Sequence, residues 1–108
     1  MNQQELRRQA LDERLPLPDR VLACVELIPA GRVLSYKDVA EFIGTRAARN
    51  VGRVLAQQGD AVPWHRVLRS DGRCAEHIAE TQLALLAAEG VPIRNGRVQL
   101  AEARWDGR

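Results

Sequence analysis

The residue types that come nearest to chemistry in this chain are Pro63-Trp64-His65-Arg66. A histidine beside a cysteine or serine reads as a base next to its nucleophile, because imidazole exchanges a proton near neutral pH. Beside Trp64 it does not, since the indole lone pair belongs to the ring and its N–H is not acidic. Two thiols remain, Cys24 and Cys74. Cys24 falls on an apolar helical stripe and reads as a small core residue. Cys74-Ala75-Glu76-His77 has a loose metal-ligand look. A zinc site wants four ligands, however, and the chain has only two Cys and two His, so neither a metal nor a cofactor is expected.

The elements around these residues must fit within 108 residues, for which a single domain is the default. A hydrophobic content of 45% suits a globular fold and is too high for a disordered chain. No apolar run reaches the length of a membrane span, and "MNQQELRRQALDERL" is too polar for a signal peptide. Two cysteines make no disulfide framework. A soluble cytoplasmic protein is expected, nucleoid-associated if bacterial, with no membrane partner.

The charge is uneven. Pro29 to Cys74 carries eight Lys/Arg against four Asp/Glu, while each flank has four Arg against five acids. Lys37 is the one lysine among sixteen basic residues. Arginine suits phosphates and base edges because its planar fork makes paired hydrogen bonds. Such a bias points to nucleic acid only where the arginines sit on a binding element.

Residues 1–15 read as an N-terminal extension, weakly helical and frayed, and 16–108 as the domain. Pro16 and Pro18 are expected to break the first helix. From Asp19 the apolar residues Val21, Leu22, Val25 and Ile28 fall at helical spacing, ending at Pro29-Ala30-Gly31. Ser35 with Asp38 reads as a helix cap with a reciprocal acid, opening a short helix on Val39, Ala40 and Ile43. Gly44-Thr45 is a turn, and "RAARNVGRVLAQQ" a second helix buried through Val51, Val54 and Leu55. Two short helices around a tight turn, the second rich in Arg, make a helix-turn-helix. Gly52 inside that helix suggests close approach of another backbone. Ser70-Asp71-Gly72 predicts a hairpin or sharp bend, and Ala75 to Glu89 a helix stopped by Gly90. Asn95-Gly96 is the strongest hairpin signal and supplies a wing. Trp105 is expected to pack back onto the domain.

In this order and spacing, "IPAGRVLSYKDVAEFIG", "RAARNVG", "VPWHRV" and "LAAEGV" resemble the DNA-binding domain of the O6-alkylguanine-DNA alkyltransferases. The resemblance runs from about Asp19 to Ile93, with Trp105 a further match. It implies a mainly α fold with small β hairpins, a winged helix-turn-helix-like alkyltransferase C-terminal domain. The transferases have Pro-Cys-His-Arg, where the cysteine accepts the alkyl group; this chain has Trp64 in that place. It therefore looks like the alkyltransferase-like branch, which lacks the reactive cysteine.

The resemblance also implies roles. His65 and Glu89 match the histidine and glutamate that activate the transferase thiolate, and would be a vestige of that network. Trp64 would line a pocket for a flipped base, together with Tyr36, Val62, Pro63, His65 and Glu76. Arg49 matches the arginine finger that fills the gap in the base stack, and Tyr36 the tyrosine that crowds the phosphate. Ser35, Tyr36, Arg46, Ala48, Arg49 and Arg53 are the expected DNA contacts, in the minor groove. Near Glu76, relatives often carry a basic residue instead. Cys74 is displaced by ten residues from the nucleophile position.

The function implied is a non-enzymatic sensor, a monomer that binds O6-alkylguanine in duplex DNA and directs it to nucleotide excision repair proteins. Two other classes compete with it. One is an active methylated-DNA–protein-cysteine methyltransferase using Cys74 or Cys24. The other is a helix-turn-helix transcription regulator, a class that usually binds as a symmetric dimer.

Overall fold

The first helix ends ahead of Pro16 and Pro18, as expected, but Pro18 already lies inside the second helix, which starts before Asp19. In the computed structural model, which describes residues 1–108, α1 spans Gln3–Leu11 and α2 Leu17–Leu27. Pro16 is the N-cap of α2 and Pro18 sits in its first turn. The first N–H groups of a helix have no intrahelical partner, so a proline there gives up nothing.

The N-terminal stretch is likewise not frayed. Asn2 caps α1 by accepting a hydrogen bond from the Glu5 amide at 2.9 Å. Ala10 is fully buried against the core. Arg20 of α2, 7% exposed, donates to the Ala10 carbonyl at 3.3 Å and to the Ile43 carbonyl. One buried cation thus satisfies carbonyls at the C-terminal ends of two helices, where cations are favoured.

After α2, β1 (Leu34–Ser35) leads directly into α3 (Tyr36–Ile43). The predicted cap is present in full. The Asp38 amide donates to Ser35 Oγ at 3.0 Å, and the Ser35 amide donates to Asp38 Oδ2 at 2.9 Å. Gly44 closes α3 in the left-handed conformation at φ 81°. The second helix, α4, spans Ala48–Gln58, beginning two residues later than its predicted stretch.

A pairing between distant segments then positions the Trp64 region. β2 (Val67–Leu68) runs parallel to β1, with Leu34 opposite Val67 and Ser35 opposite Leu68. After β2 the expected sharp bend is present, closed by the Gly72 amide donating to the Arg69 carbonyl at 2.9 Å and the Arg69 amide to the Arg73 carbonyl at 3.0 Å. Glu76–Ile78 forms a single 3-10 turn, and α5 (Ala79–Ala88) starts only beyond Ile78. The wing is formed by β3 (Ile93–Arg94) and β4 (Arg97–Val98), antiparallel around Asn95 (φ 54°) and Gly96 (φ 74°). A last turn, α6 (Leu100–Ala103), brings Trp105 back. Trp105 is 8% exposed and stacks on Phe42 with ring centroids 5.7 Å apart, as predicted.

The main core lies between α1, α2, α3 and α4 and includes Val21, Val25, Ile28, Val39, Ile43 and Val51. A smaller one, with Val33, Leu68, Leu86, Val91, Val98 and Ala103, joins α5 and the wing to β1 and β2. Burying a Leu or Ile side chain contributes about 1.5–3 kcal/mol. Ile28, Ile43, Leu68 and Leu86 are the largest apolar side chains that are fully buried. No helix is long and apolar enough to cross a membrane.

Candidate nucleic-acid interface and pocket

Trp64 owes its position to Pro63. The proline has φ −75° and ψ 65°, and the Trp64 amide donates across it to the Val62 carbonyl at 2.7 Å. That is an inverse γ-turn, which the fixed φ of proline favours. The turn separates its two flanking side chains. Val62 faces a groove with Leu6 of α1 and Leu22 of α2, whereas Trp64 lines a different pocket. The parallel β1–β2 pairing sets this turn beside the start of α3, and so beside Tyr36.

The pocket holds about 420 Å³. Tyr36 and Trp64 are its aromatic walls; Gly52, Leu55 and Ala56 of α4 form another side. Ala75, His77 and Ile78 come from the segment ahead of α5, and Asp60 is the acid in the lining. Aromatic walls, a few polar groups and a concave shape are what a small planar ligand requires. Within the protein, Gly52 faces the Tyr36 ring and not another backbone segment. A Cβ at that position would lie 3.7 Å from the Tyr36 ring and extend into the pocket. Burial pushes the Tyr36 phenol above its ordinary pKa, and the charge of Arg69 partly opposes that shift.

His65 points elsewhere. Its Nε2 lies 2.7 Å from Glu89 Oε2, and since a carboxylate only accepts, Nε2–H is the donor. Arg66 donates to the same carboxylate from Nε at 3.0 Å and Nη2 at 2.8 Å, and from Nη1 to the Ile28 carbonyl at 2.8 Å. The Gly31 amide donates to Glu89 Oε1 at 3.1 Å. The Arg66 hydrogen bonds, ahead of those from His65 and Gly31, hold the Glu89 carboxyl down at about 2. Glu89 thereby joins the end of α5 to the α2–β1 loop and to the turn that carries Trp64. Gln82, 1% exposed, supports that turn from below, with Nε2 donating to the carbonyls of His65 at 2.9 Å and Val67 at 2.8 Å.

On α4, Arg49 and Arg53 are exposed, as is Arg46 just before it, and none has a hydrogen-bond or ion-pair partner. No acid lies between Thr45 and Gln58. Ala48, half-buried, opens the helix. Unpaired guanidinium groups along one short acid-free helix are available for phosphate. Ser35 is placed differently from the other expected contacts. It is 1% exposed and its hydroxyl caps α3.

Of the expected pocket residues, the structure brings Tyr36 and Trp64 together. Pro63 sets the turn, His65 bonds to Glu89, Val62 faces the α1–α2 groove, and Glu76 is exposed between the lining residues Ala75 and His77. Gln82, Asp60 and Arg69 were missed, and Arg66 was given no role of its own. The Arg66–Glu89 pairing had a sequence signal in the matched Arg of "VPWHRV"; the others had none.

Both cysteines are buried. Burial pushes the Cys24 thiol up to about 12 and raises that of Cys74. Activated thiols show the opposite shift.

A helix-turn-helix with an arginine-bearing second helix, a small β wing and an adjoining aromatic pocket define a winged helix-turn-helix protein. Residues 16–91 match the family described as the 6-O-methylguanine DNA methyltransferase DNA-binding domain. The chain belongs to that family.

The chain is 36% identical over 104 residues to the DNA base-flipping protein of Escherichia coli (strain K12), covering 91% of this chain and 81% of that one. It is 30% identical over 92 residues to the DNA base-flipping protein of Vibrio parahaemolyticus, over 80% of this chain and 92% of the relative. Its structure is similar to that of S. pombe Atl1 in complex with damaged DNA containing O6-carboxymethylguanine. There the TM-score is 0.72 at 27% identity, covering 98% of this chain and 99% of that one. A second structure, S. pombe ATL in complex with DNA, matches with a TM-score of 0.73 at 31% identity over 82% and 94% of the two chains.

Proposed function

We propose that this protein is a non-enzymatic DNA-damage sensor that flips an O6-alkylguanine out of duplex DNA and holds it between Tyr36 and Trp64. The observation that carries the reading is the pairing of these two rings in one pocket beside an arginine-bearing helix. Flipping costs a few kcal/mol and least for a poorly paired base, so an alkylated guanine is favoured before any contact is made. Stacking on aromatic faces then adds about 1–3 kcal/mol per base.

Arg49 fills the vacated stack from the minor groove, while Arg46 and Arg53 take phosphates. Glu76, exposed at the pocket's edge, influences which adducts enter. Residues 16–108 form the DNA-reading unit, with 1–15 an accessory to it. The protein acts as a monomer and passes the site to nucleotide excision repair proteins. Similarity to two DNA base-flipping proteins and to S. pombe Atl1 in complex with damaged DNA supports DNA-damage recognition. His65 and Glu89 are the remnant of the alkyl-transfer network, now serving to hold the Trp64 turn.

The test is a titration of matched duplexes, one with O6-methylguanine and one with guanine, using wild type and Arg49→Ala, followed by mass spectrometry of the protein. Strong preference for the lesion, lost in Arg49→Ala, with unchanged mass is the expected result. Equal binding to both duplexes would favour a transcription regulator, and a mass gain of one methyl would make the protein a transferase.

A further inference from the structure

Arg73, Arg94 and Arg97 line a single cleft of about 580 Å³ with Asn95 and Gln99, and no hydrophobic side chain enters it. Two segments distant in sequence are locked together to form it. The Val98 amide donates to the Gly72 carbonyl at 2.8 Å, and Gly72 packs so closely on β4 that a Cβ there would clash with the Val98 carbonyl oxygen. The turn ending at Arg73 is thus fixed to the wing.

The arrangement is unfavourable in the free protein. Arg94 and Arg97 are register partners directly opposite each other on the wing, and like charges so placed repel. Nearby acids compensate little. Asp71 Oδ2 is 3.9 Å from Arg73 Nε, and Glu102 Oε2 is 3.5 Å from Arg94 Nη2. All four side chains are at least half exposed, where such pairs are weak. Arg97 has no ion-pair partner at all. The cleft also adjoins the aromatic pocket through the chain itself, because Ala75, two residues beyond Arg73, lines that pocket.

We propose that the Arg73–Arg94–Arg97 cleft is a second phosphate-binding site, which grips the sugar–phosphate backbone of the duplex beyond the lesion. The inference rests on the sensor reading above for the position of the duplex. Guanidinium forks and the amides of Asn95 and Gln99 match phosphodiester oxygens. A protein partner would want an apolar anchor at the centre of its interface, and this cleft has none.

The experiment is the salt dependence of duplex binding, read by fluorescence anisotropy with lesion-bearing and undamaged duplexes. Neutralising the cleft with Arg73→Gln, Arg94→Gln and Arg97→Gln together should weaken both duplexes by the same factor. It should also reduce the slope of log K against log salt by about 2–3, since each phosphate contact contributes about 0.9. Arg94→Gln with Arg97→Gln, confined to the exposed hairpin, should give about two-thirds of that change if the triple variant is poorly folded. Arg8→Gln on α1 is the control for net charge and should leave the slope unchanged.

An unchanged slope in a folded variant, with wild type still preferring the lesion, overturns the proposal alone. So does a variant that binds both duplexes normally but loses an acidic protein partner. A reduced slope in a protein with no lesion preference would overturn the sensor reading and keep the cleft as a phosphate site.

Discussion

Arg66 grips the carboxylate of Glu89 through two hydrogen bonds, Nε to Oε1 at 3.0 Å and Nη2 to Oε2 at 2.8 Å. The pair holds together three parts of the chain that meet under Trp64. Its partners depress the Glu89 carboxyl from 4.5 to about 2. A depressed carboxyl contributes stability above its unfolded pKa and loses it as pH falls toward the folded one. Allowing for solvent screening, the contribution near neutral pH is on the order of 2 kcal/mol. Glu89→Gln should therefore lower the urea midpoint near neutral pH. The gap from wild type should close between about pH 4.5 and pH 2. A gap that stays constant across that window would mean that charge is not what Glu89 contributes.

Trp64 and Trp105 should separate cleanly by mutation. Trp64→Ala removes a wall of the pocket, so lesion affinity should fall by about ten- to a hundredfold, the worth of one stacked base, with the melting temperature little changed. Trp105→Ala removes a buried ring stacked on Phe42 and should cost about 3–5 kcal/mol of stability. Calorimetric melts and duplex titrations of the two variants give the comparison. A large stability loss in Trp64→Ala would assign that ring to the core.

Neither thiol is poised to react. With Cys24 raised to about 12 and Cys74 raised by burial, iodoacetamide should label both slowly in the folded protein and rapidly in denaturant. Fast native labelling of Cys74, located by peptide mass mapping, would reopen the transferase alternative.

Gly72 should tolerate substitution worst among the turn glycines. It combines φ +85° with backbone contact against Val98, whereas Gly44 and Gly96 share a positive φ but face open space. Gly72→Ala should destabilise by about 2 kcal/mol or more, and Gly96→Ala by about 1 kcal/mol. Urea midpoints of the two variants measure the difference, and equal losses would show that the contact with β4 adds nothing.

Local features of this fold were legible from sequence because their physics is local. The Ser35–Asp38 cap, the Asn95-Gly96 turn and the α3–α4 pair each depend on a few adjacent residues. The β1–β2 pairing was not legible. Each strand has two residues, too few for any alternation, and the partners are 33 positions apart. That pairing is what puts Trp64 beside Tyr36, so the pocket was legible through the family resemblance and not through spacing. Nothing in the helix reading of Ala75 to Glu89 marks Gln82 for burial, yet it is buried, with its amide donating to the carbonyls of His65 and Val67. The start of α2 at Leu17, ahead of Asp19, was hidden for a simpler reason: a proline breaks a helix interior but suits a helix start.

The stacked rings of Phe42 and Trp105 have a further partner in Arg7 of α1. Its guanidinium lies 5.7 Å from the Phe42 centroid and donates to the Gly107 carbonyl at 2.9 Å. The first helix and the last residues are thus fastened to each other across the whole intervening chain. Closing a contact of that sequence separation carries a larger chain-entropy cost than closing a local one. Hydrogen exchange should therefore show the amides of the two segments opening together, although they are the parts of the chain farthest apart in sequence.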